Sequence, residues 1–374
     1  MDRSNNAVDP AISLQSISKF FADTTVIDNI SLDLAEGEFL SLLGPSGSGK
    51  TTILRMVAGL ASPSEGKVIL KGQDVSAIPP NKRNLGMVFQ QYALFPHMTV
   101  WDNVAYGLRA RKEKADVIKQ KVEKYLELVG LSHLAKRKPR ELSGGQQQRV
   151  SLARALTVEP VVMLFDEPLS NLDVRLKEQM LQEIRNLHQT IGFSAIYVTH
   201  DQNEALYLSD KIAVLNKGKI EQFAAPEAIL KQPASAFVAD FFGYTNRGEG
   251  AVLLEEGKAR LGNCEIPVGH VGADAAPGDR GVLLMRANAI QIADYQQELF
   301  SLEQIAGRVQ VTEAEVLDSR YLGGETELKL RLLQADGLEI DAIYPQMVTP
   351  LPKRGEQVRV WFSADSVCFF KGES

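Results

Sequence analysis

The sequence predicts an α/β core that contains an inserted helical segment and is followed by a smaller antiparallel β domain. Three observations indicate this fold class. Short apolar runs, Leu40–Leu43 and Val161–Phe165, are typical of buried strands in a parallel sheet. Between them, Ala115–Val129 places apolar side chains at helical spacing, with Lys and Glu in the intervening positions. Beyond residue 243, strict alternation such as that of Glu325–Leu333 predicts antiparallel strands.

A glycine-rich loop follows the first apolar run. Residues 44–51 fit the pattern G-x-x-x-x-G-K-[ST], whose backbone N–H groups surround phosphate oxygens. Thr51–Ala58 is predicted to be helical, so the phosphates would lie at a helix N-terminus. A glycine-rich surface turn is the alternative, but it does not account for the strand before the loop and the helix after it. The predicted ATP-binding residues here are Gly44, Pro45, Ser46, Gly47, Ser48, Gly49, Lys50, Thr51 and Thr52.

Two adjacent carboxylates follow the second apolar run. At the carboxyl end of a strand, beside a phosphate loop, Asp166 can hold Mg²⁺ together with Thr51, and Glu167 can orient or deprotonate the attacking water. Taken alone, Asp166 and Glu167 could form a solvated turn after a core strand. The phosphate loop upstream favours the functional interpretation, and Mg²⁺ with ATP is the expected cofactor.

Between these two sites lies the segment Leu142–Gln146, with the sequence LSGGQ. Because the phosphate loop, this segment and the two carboxylates occur in this order, residues 12 to 240 resemble the ATP-binding subunits of ABC transporters. The resemblance implies an α/β P-loop ABC ATPase core over residues 12–243, with a helical subdomain at about 93–156. It also implies that a signature motif, carried on a helix at Gln147–Leu156, contacts the γ-phosphate of ATP bound by the other subunit. The signature residues are Leu142, Ser143, Gly144, Gly145 and Gln146.

The same resemblance assigns roles to residues outside the phosphate loop. Gln90 matches the residue that approaches Mg²⁺ and the attacking water, and His200 matches the residue that contacts the γ-phosphate. Phe21 matches the aromatic residue that stacks on adenine, and its neighbour Phe20 is then expected in the core. His200 could instead only cap the strand before it. The dimer-interface loop would consist of Ser170, Asn171, Leu172 and Asp173.

The C-terminal part, residues 244–374, resembles the transport-associated, OB-like β domain of many bacterial importer ATPases. This domain points to an importer rather than an exporter. Its sequence does not distinguish a ligand-sensing role from support of the dimer.

Composition limits the possible partners. The chain has 374 residues, a formal net charge of −6 and 44% hydrophobic residues, which describes an ordinary globular protein of more than one domain. The basic cluster at residues 136–140 lacks interleaved aromatics and is expected to be a solvated loop, so no nucleic acid is expected. No apolar run is long enough to span a membrane, and no signal peptide is evident. Cys264 and Cys368 are expected to be buried thiols in a reducing cytosol.

Three function classes compete: the ATPase of an importer, a soluble ABC ATPase of DNA repair or translation, and another P-loop enzyme such as a kinase. A kinase-like P-loop enzyme would lack the signature, and the segment between Lys50 and Ser143 is too short for the coiled coil of repair ATPases. Translation-type relatives carry two cassettes per chain, whereas this chain has one phosphate loop. The resemblance therefore implies the ATPase of an importer on the cytoplasmic face of the inner membrane. Its expected partners are a second copy, two permease subunits and a periplasmic or lipid-anchored solute-binding protein. Residues 91–97 would form the surface that receives the permease.

The cargo is inferred from short similarities. Residues 83–97 and 198–222 resemble importer ATPases for ferric ions, polyamines and sulfate, and residues 277–284 and 367–372 resemble ferric-ion members most. Ferric iron is therefore the expected cargo, with a polyamine (spermidine or putrescine) or another small solute as the alternative. The sequence Arg286-Ala287-Asn288 departs from the Arg-Pro-Glu of many relatives. The resemblance therefore does not extend to a regulatory contact at these residues.

Overall fold

The structure of the protein is a computed structural model that describes residues 10–21, 24–293, 309–344 and 350–372. The chain divides into two compact units, Met1–Pro226 and Glu227–Ser374. This division falls earlier in the chain than the predicted boundary after residue 243, because Ala239 in a short helix packs with Val282 and Leu284 of the second unit. Within the described ranges, no helix combines the length and the apolar character needed to cross a membrane.

The first unit alternates strands and helices. Its strands are β1 (Ile12–Phe21), β2 (Thr24–Leu34), β3 (Phe39–Leu43), β4 (Glu65–Leu70), β5 (Gln73–Asp74), β6 (Leu85–Val88), β7 (Val162–Asp166), β8 (Ser194–Thr199), β9 (Lys211–Asn216) and β10 (Lys219–Ala224). Its helices are α1 (Lys50–Ala58), α2 (Val100–Ala110), α3 (Ala115–Leu128), α4 (Gly144–Leu156), α5 (Val174–Ile191) and α6 (Gln202–Leu208), and α7 (Pro226–Lys231) begins at its last residue.

The main sheet has the strand order β10-β9-β3-β8-β7-β6, and all of its neighbours except β10 and β9 run parallel. All five residues of β3 and four of the five in β7 are buried, as their continuous apolar runs predict. A second, antiparallel sheet has the order β2-β1-β4-β5. Because β3, β7 and β8 are parallel, their carboxyl ends place Leu43, Asp166 and Thr199 at the same edge of the sheet, where the following loops meet.

Helices α2, α3 and α4 form the helical part of the first unit. They pack through Val104, Val122, Leu126 and Val150, all of them buried. The helix predicted at residues 115–129 is confirmed as α3. Helix α4 begins at Gly144 rather than at the predicted Gln147, because Ser143 and the Gln146 side chain form a capping box that starts the helix inside the signature segment.

The expectation that Phe20 packs in the core is wrong. Phe20 is 38% exposed and Phe21 is 56% exposed. The register of β1 against β2 shifts between Ile17 and Lys19 and again between Lys19 and Phe20. These irregularities break the alternation of faces near the end of the strand, so neither ring reaches the core.

The second unit is rich in β-strands, as predicted. It contains α8 (Ala236–Phe241) and the strands β11 (Asn246–Leu253), β12 (Lys258–Leu261), β13 (Cys264–Pro267), β14 (His270–Val271), β15 (Arg280–Met285), β16 (Ile290–Ala293), β17 (Val309–Leu322), β18 (Glu325–Leu332), β19 (Glu339–Tyr344), β20 (Gln357–Ser363) and β21 (Val367–Lys371). Two sheets, β13-β12-β11-β15-β21-β14 and β16-β20-β17-β18-β19, enclose one apolar core. The alternation of β18 buries Thr326, Leu328, Leu330 and Leu332, and both cysteines are buried as free thiols.

Candidate functional site

The glycine-rich loop leaves β3 and enters α1 with little room for side chains. Gly44 and Gly49 adopt positive φ angles of 155° and 105°. A Cβ atom at Gly44 would lie 2.2 Å from the Leu215 carbonyl oxygen, and one at Gly49 would lie 2.4 Å from Cδ1 of Ile27. The loop therefore packs tightly against the core at two positions that only glycine can occupy. Pro45, Ser46 and Gly47 form its exposed rim.

Lys50 folds back over this loop. Its Nζ donates hydrogen bonds to the carbonyl oxygens of Gly44 (2.8 Å) and Pro45 (2.9 Å). Burial lowers the pKa of Lys50, and the charge of Glu167 opposes that shift. Among the residues that the structure describes, Ser48 Oγ is a buried polar atom with no hydrogen-bond partner. Such orphaned groups are rare, and an oxyanion such as phosphate in the loop would give this hydroxyl an acceptor.

Thr51, at the start of α1, joins the loop to the end of β7. Its Oγ1 donates a hydrogen bond of 3.3 Å to Oδ1 of Asp166. Burial raises the pKa of Asp166, while the hydrogen bond from Thr51 and the charge of Arg55 act in the opposite direction. A hydroxyl and a carboxylate are the oxygen ligands that suit Mg²⁺. Thr51 and Asp166 would hold this ion, which neutralises charge on the phosphates when bound; Thr52 lies half-buried beside them.

Glu167 follows Asp166 in a strained backbone conformation. Its φ angle is 45°, a value that a non-glycine residue seldom adopts and that often marks functional sites. The Glu167 N–H donates to the carbonyl oxygen of Val198 in β8 (3.1 Å), which holds this turn against the sheet. Oε2 of Glu167 lies 3.7 Å from Nδ1 of His200, whose side chain is 60% exposed. The structure thus places Glu167, the predicted general base, beside His200, the residue predicted to contact the γ-phosphate.

Gln90 connects the loop after β6 to the same turn. Its Nε2 donates to Ser170 Oγ (3.0 Å), and Ser170 Oγ donates to the carbonyl oxygen of Glu167 (3.0 Å). Asn171 Nδ2 in turn donates to the carbonyl oxygen of Gln90 (3.4 Å). Asp173 caps α5 by accepting a hydrogen bond from the Leu176 N–H. The segment Ser170–Asp173 therefore links Gln90, Glu167 and the start of α5.

The signature residues lie apart from the phosphate loop within this chain. None of the hydrogen bonds or ion pairs formed by the described residues joins residues 142–146 to residues 44–51. Ser143 Oγ accepts from the Gln146 N–H, and Ser143 N–H donates to the Gln146 side chain, so both serve the helix start. Ser143 and Gly144 are exposed, whereas Leu142 and Gly145 are buried. An exposed helix N-terminus leaves backbone N–H groups free for an anion from outside the chain.

Two contacts at this site escaped the sequence analysis. Tyr92 and Ala93 have positive φ angles of 55° and 45°. Arg154 of α4 donates to the carbonyl oxygens of Ala93 (2.7 Å) and Tyr92 (3.0 Å), and Ser151 Oγ also donates to Tyr92 (3.1 Å). The ring of Phe21, which is predicted to stack on adenine, has Lys19 Nζ 5.1 Å from its centroid.

Comparison with known proteins agrees with this architecture. Residues 27–170 match the family described as ABC transporter, and residues 283–370 match the TOBE domain. A spermidine/putrescine import ATP-binding protein of Trichormus variabilis is 40% identical over 357 residues, 96% of this chain and 92% of the relative. A ferric-ion import ATP-binding protein of Rhizobium etli is 46% identical over 324 residues, 85% of this chain and 87% of the relative.

A solved structure of a Clostridium perfringens protein, described as part of an ABC transporter complex, superimposes with a TM-score of 0.55 and 26% identity. The superposition covers 59% of this chain and 90% of the Clostridium perfringens chain. Taken with the near full-length relatives, these matches show the family. This chain belongs to the ATP-binding subunits of ABC importers, in the group that includes spermidine/putrescine and ferric-ion import proteins.

Proposed function

We propose that this chain hydrolyses ATP to energise uptake of a polyamine. The observation that carries the ATPase part is the junction of the phosphate loop with Asp166 and Glu167, where Thr51 hydrogen bonds to Asp166 and Glu167 lies beside His200. Spermidine/putrescine import proteins match this chain over most of its length, which supports polyamine as the cargo. Ferric iron, the cargo favoured by the short C-terminal similarities, is the second candidate because ferric-ion import proteins match at similar identity.

The proposed mechanism uses two copies of the chain arranged head to tail. ATP lies between Lys50 of one copy and the exposed signature segment of the other, where the N-terminus of α4 offers free N–H groups. Lys50 exchanges its bonds with Gly44 and Pro45 for phosphate oxygens. Closure of the pair would complete both sites and move the permease subunits. Catalysis of this kind is mainly positioning and charge stabilisation.

Within each site, the chain's own groups have separate tasks. Glu167 orients the attacking water and accepts its proton. His200, whose Nδ1 lies 3.7 Å from Oε2 of Glu167, stabilises the γ-phosphate beside it. Gln90 donates a hydrogen bond to Ser170, which in turn donates to the Glu167 carbonyl oxygen. The position of the Gln90 side chain therefore depends on both the Ser170–Asp173 segment and the turn at Glu167. Residues 91–97 form the surface for the permease, and Arg154 fixes the backbone of that surface at Tyr92 and Ala93.

The ATPase part is tested by hydrolysis with the purified full chain, wild type against Lys50→Ala. Loss of activity in Lys50→Ala supports it, and equal activity of the two proteins contradicts it. The cargo is tested by uptake of labelled spermidine and labelled ferric iron in cells that lack the gene, complemented with either form. Spermidine uptake that depends on Lys50 supports the proposal, whereas iron uptake that depends on Lys50 assigns the second candidate. If neither depends on it, the cargo assignment is wrong and the ATPase assignment stands on its own assay.

A further inference from the structure

A group of hydrogen-bonded charged side chains lies beside the loop that carries His200. Glu204 of α6 is only 3% exposed and accepts hydrogen bonds from the hydroxyls of Tyr197 and Thr199, both at 2.7 Å. Lys177 of α5 contacts Glu204 Oε1 at 2.7 Å and Asp201 Oδ2 at 2.6 Å. Three separate elements, α5, α6 and β8, are joined through these contacts.

The group fixes both chain neighbours of His200. Thr199, which precedes it, donates to Glu204, and its Oγ1 also accepts from the Asp201 N–H (3.0 Å). Asp201, which follows it, accepts from the N–H groups of Asn203 and Glu204 at the start of α6. The His200 ring itself stays exposed beside Glu167. The backbone on either side of the ring is therefore held by side chains that do not touch the ring.

The same group reaches the dimer-interface segment at its other end. Lys177 lies one turn into α5, and its N–H donates to the carbonyl oxygen of Asp173 (2.9 Å), the residue that caps this helix. A displacement of Ser170–Asp173 would move the N-terminal turn of α5, and the Lys177 side chain would transmit it to Asp201 and Glu204.

One cation, Lys177, faces the two carboxylates of this group, Asp201 and Glu204. Burial alone would lower the pKa of Lys177, but its hydrogen bonds to Asp201 and Glu204 outweigh that effect, so the pKa lies above its ordinary value. Burial, and then the charge of Glu204, raise the pKa of Tyr197, which keeps the hydroxyl protonated as a donor. Buried ion pairs are weak evidence for stability, since apolar residues of similar volume often stabilise a fold as well. A role in fixing geometry accounts better for this placement.

We propose that Glu204 and Lys177 are positioning residues for ATP hydrolysis, which hold His200 at Glu167 and couple its position to the Ser170–Asp173 segment. The inference rests on the proposed ATPase function. Neither side chain touches ATP in this proposal; both act through His200. Their loss should therefore lower kcat while ATP binding is kept.

The test is a double-mutant cycle in the full-length protein with Glu204→Gln, Lys177→Met and His200→Ala. We expect each of the first two to lower kcat on the order of tenfold to a hundredfold, as misplaced catalytic groups do. The ATP dissociation constant should change less than about twofold, since binding to the loop is not involved. In the His200→Ala background, Glu204→Gln should have no further effect on kcat. Glu36→Gln, which breaks the exposed pair with Lys71, is the matched control and should keep wild-type kcat.

The outcomes separate this inference from the proposed function. If Glu204→Gln and His200→Ala reduce kcat by independent factors that multiply, the network does not act through His200 and the inference fails. If wild type and Lys50→Ala hydrolyse ATP equally, the proposed function fails instead. Thermal melting shows whether the variants are folded. Should Glu204→Gln or Lys177→Met unfold, Tyr197→Phe takes its place in the cycle, because it removes only one hydroxyl from Glu204 and keeps the ring.

Discussion

Thr51 Oγ1 donates a 3.3 Å hydrogen bond to Asp166 Oδ1. The first turn of α1 and the end of β7 thus bring together a hydroxyl and a carboxylate, the two groups proposed to hold Mg²⁺. The Asp166 carboxylate is partly buried here, and burial raises its pKa above the ordinary value of 3.8. The site thus holds a charge that the fold alone does not favour. Sites built to bind a ligand often sacrifice stability in this way.

The first prediction follows for Asp166→Asn. A carboxyl whose pKa is raised in the folded state stabilises the fold below its unfolded pKa, and that contribution is lost as the pH rises through the folded pKa. At pH 7 the nucleotide-free Asp166→Asn protein should therefore melt higher than wild type, by on the order of 2 °C. The gain should shrink as the pH falls through the raised pKa of folded Asp166 and should vanish below the ordinary value of 3.8, where the wild-type carboxyl is protonated in both states. Exposed Asp33→Asn is the control, and an equal gain in both variants would contradict this explanation.

Glu167→Gln should separate ATP binding from hydrolysis. The amide keeps the shape of the side chain but cannot accept a proton, so kcat should fall about 100- to 10,000-fold. ATP should still bind and hold two copies together, which size-exclusion chromatography with ATP can measure. Glu159→Gln, at an exposed carboxylate paired with Lys121, is the matched control and should hydrolyse ATP normally. Normal hydrolysis by Glu167→Gln would show that the base is assigned to the wrong residue.

Much of this site follows from sequence because its parts are local. The phosphate loop is a continuous segment. Asp166 ends strand β7 and His200 follows strand β8, and the parallel pairing of these two buried strands brings their ends together. The early start of α4 was also available from sequence, since Ser143 and Gln146 have capping-box spacing. Gly144 and Gly145 are poor helix formers, so helix propensity alone does not predict this earlier start.

The features that sequence missed depend on tertiary contacts. Nothing local pairs Lys177 with Glu204, because the two residues lie on different helices. The left-handed backbone of Glu167 is held by the Val198 carbonyl of the neighbouring strand, and no propensity predicts a glutamate there. Phe20 was misplaced because β1 carries register shifts that apolar patterning does not reveal.

The loop glycines differ in a way that substitution can measure. At Gly49 a Cβ would lie 2.4 Å from Ile27 Cδ1, whereas at Gly47 nothing lies within 4 Å, although its φ is also positive at 81°. Gly49→Ala should cost about 1–3 kcal/mol of unfolding free energy through overpacking and strain. Gly47→Ala should cost about 1 kcal/mol from backbone strain alone. Urea unfolding of the nucleotide-free chain measures both, and equal losses would show that contact with Ile27 does not matter.

Arg83 supports the far end of α1. Arg83 is 4% exposed, and its guanidinium donates to the carbonyl oxygens of Met56 (2.7 Å) and Val57 (2.8 Å) in the last turn of the helix. Further bonds reach the carbonyl oxygens of Ile78 (2.7 Å) and Ser76 (3.2 Å). The helix that carries Lys50 and Thr51 at its start is therefore fixed at its end by a buried cation.

Arg83→Met should lower the unfolding free energy by about 2–4 kcal/mol, because it leaves several buried carbonyls without a donor. Arg83→Lys should recover only part of this loss, since an ammonium lacks the planar fork of donors. Exposed Arg111, which also bonds a carbonyl oxygen and a side chain, is the matched control, and Arg111→Met should cost less than about 1 kcal/mol. Chemical denaturation compares the three variants. If Arg83→Lys matches wild type, a positive charge at this position is sufficient and the hydrogen-bond geometry does not stabilise α1.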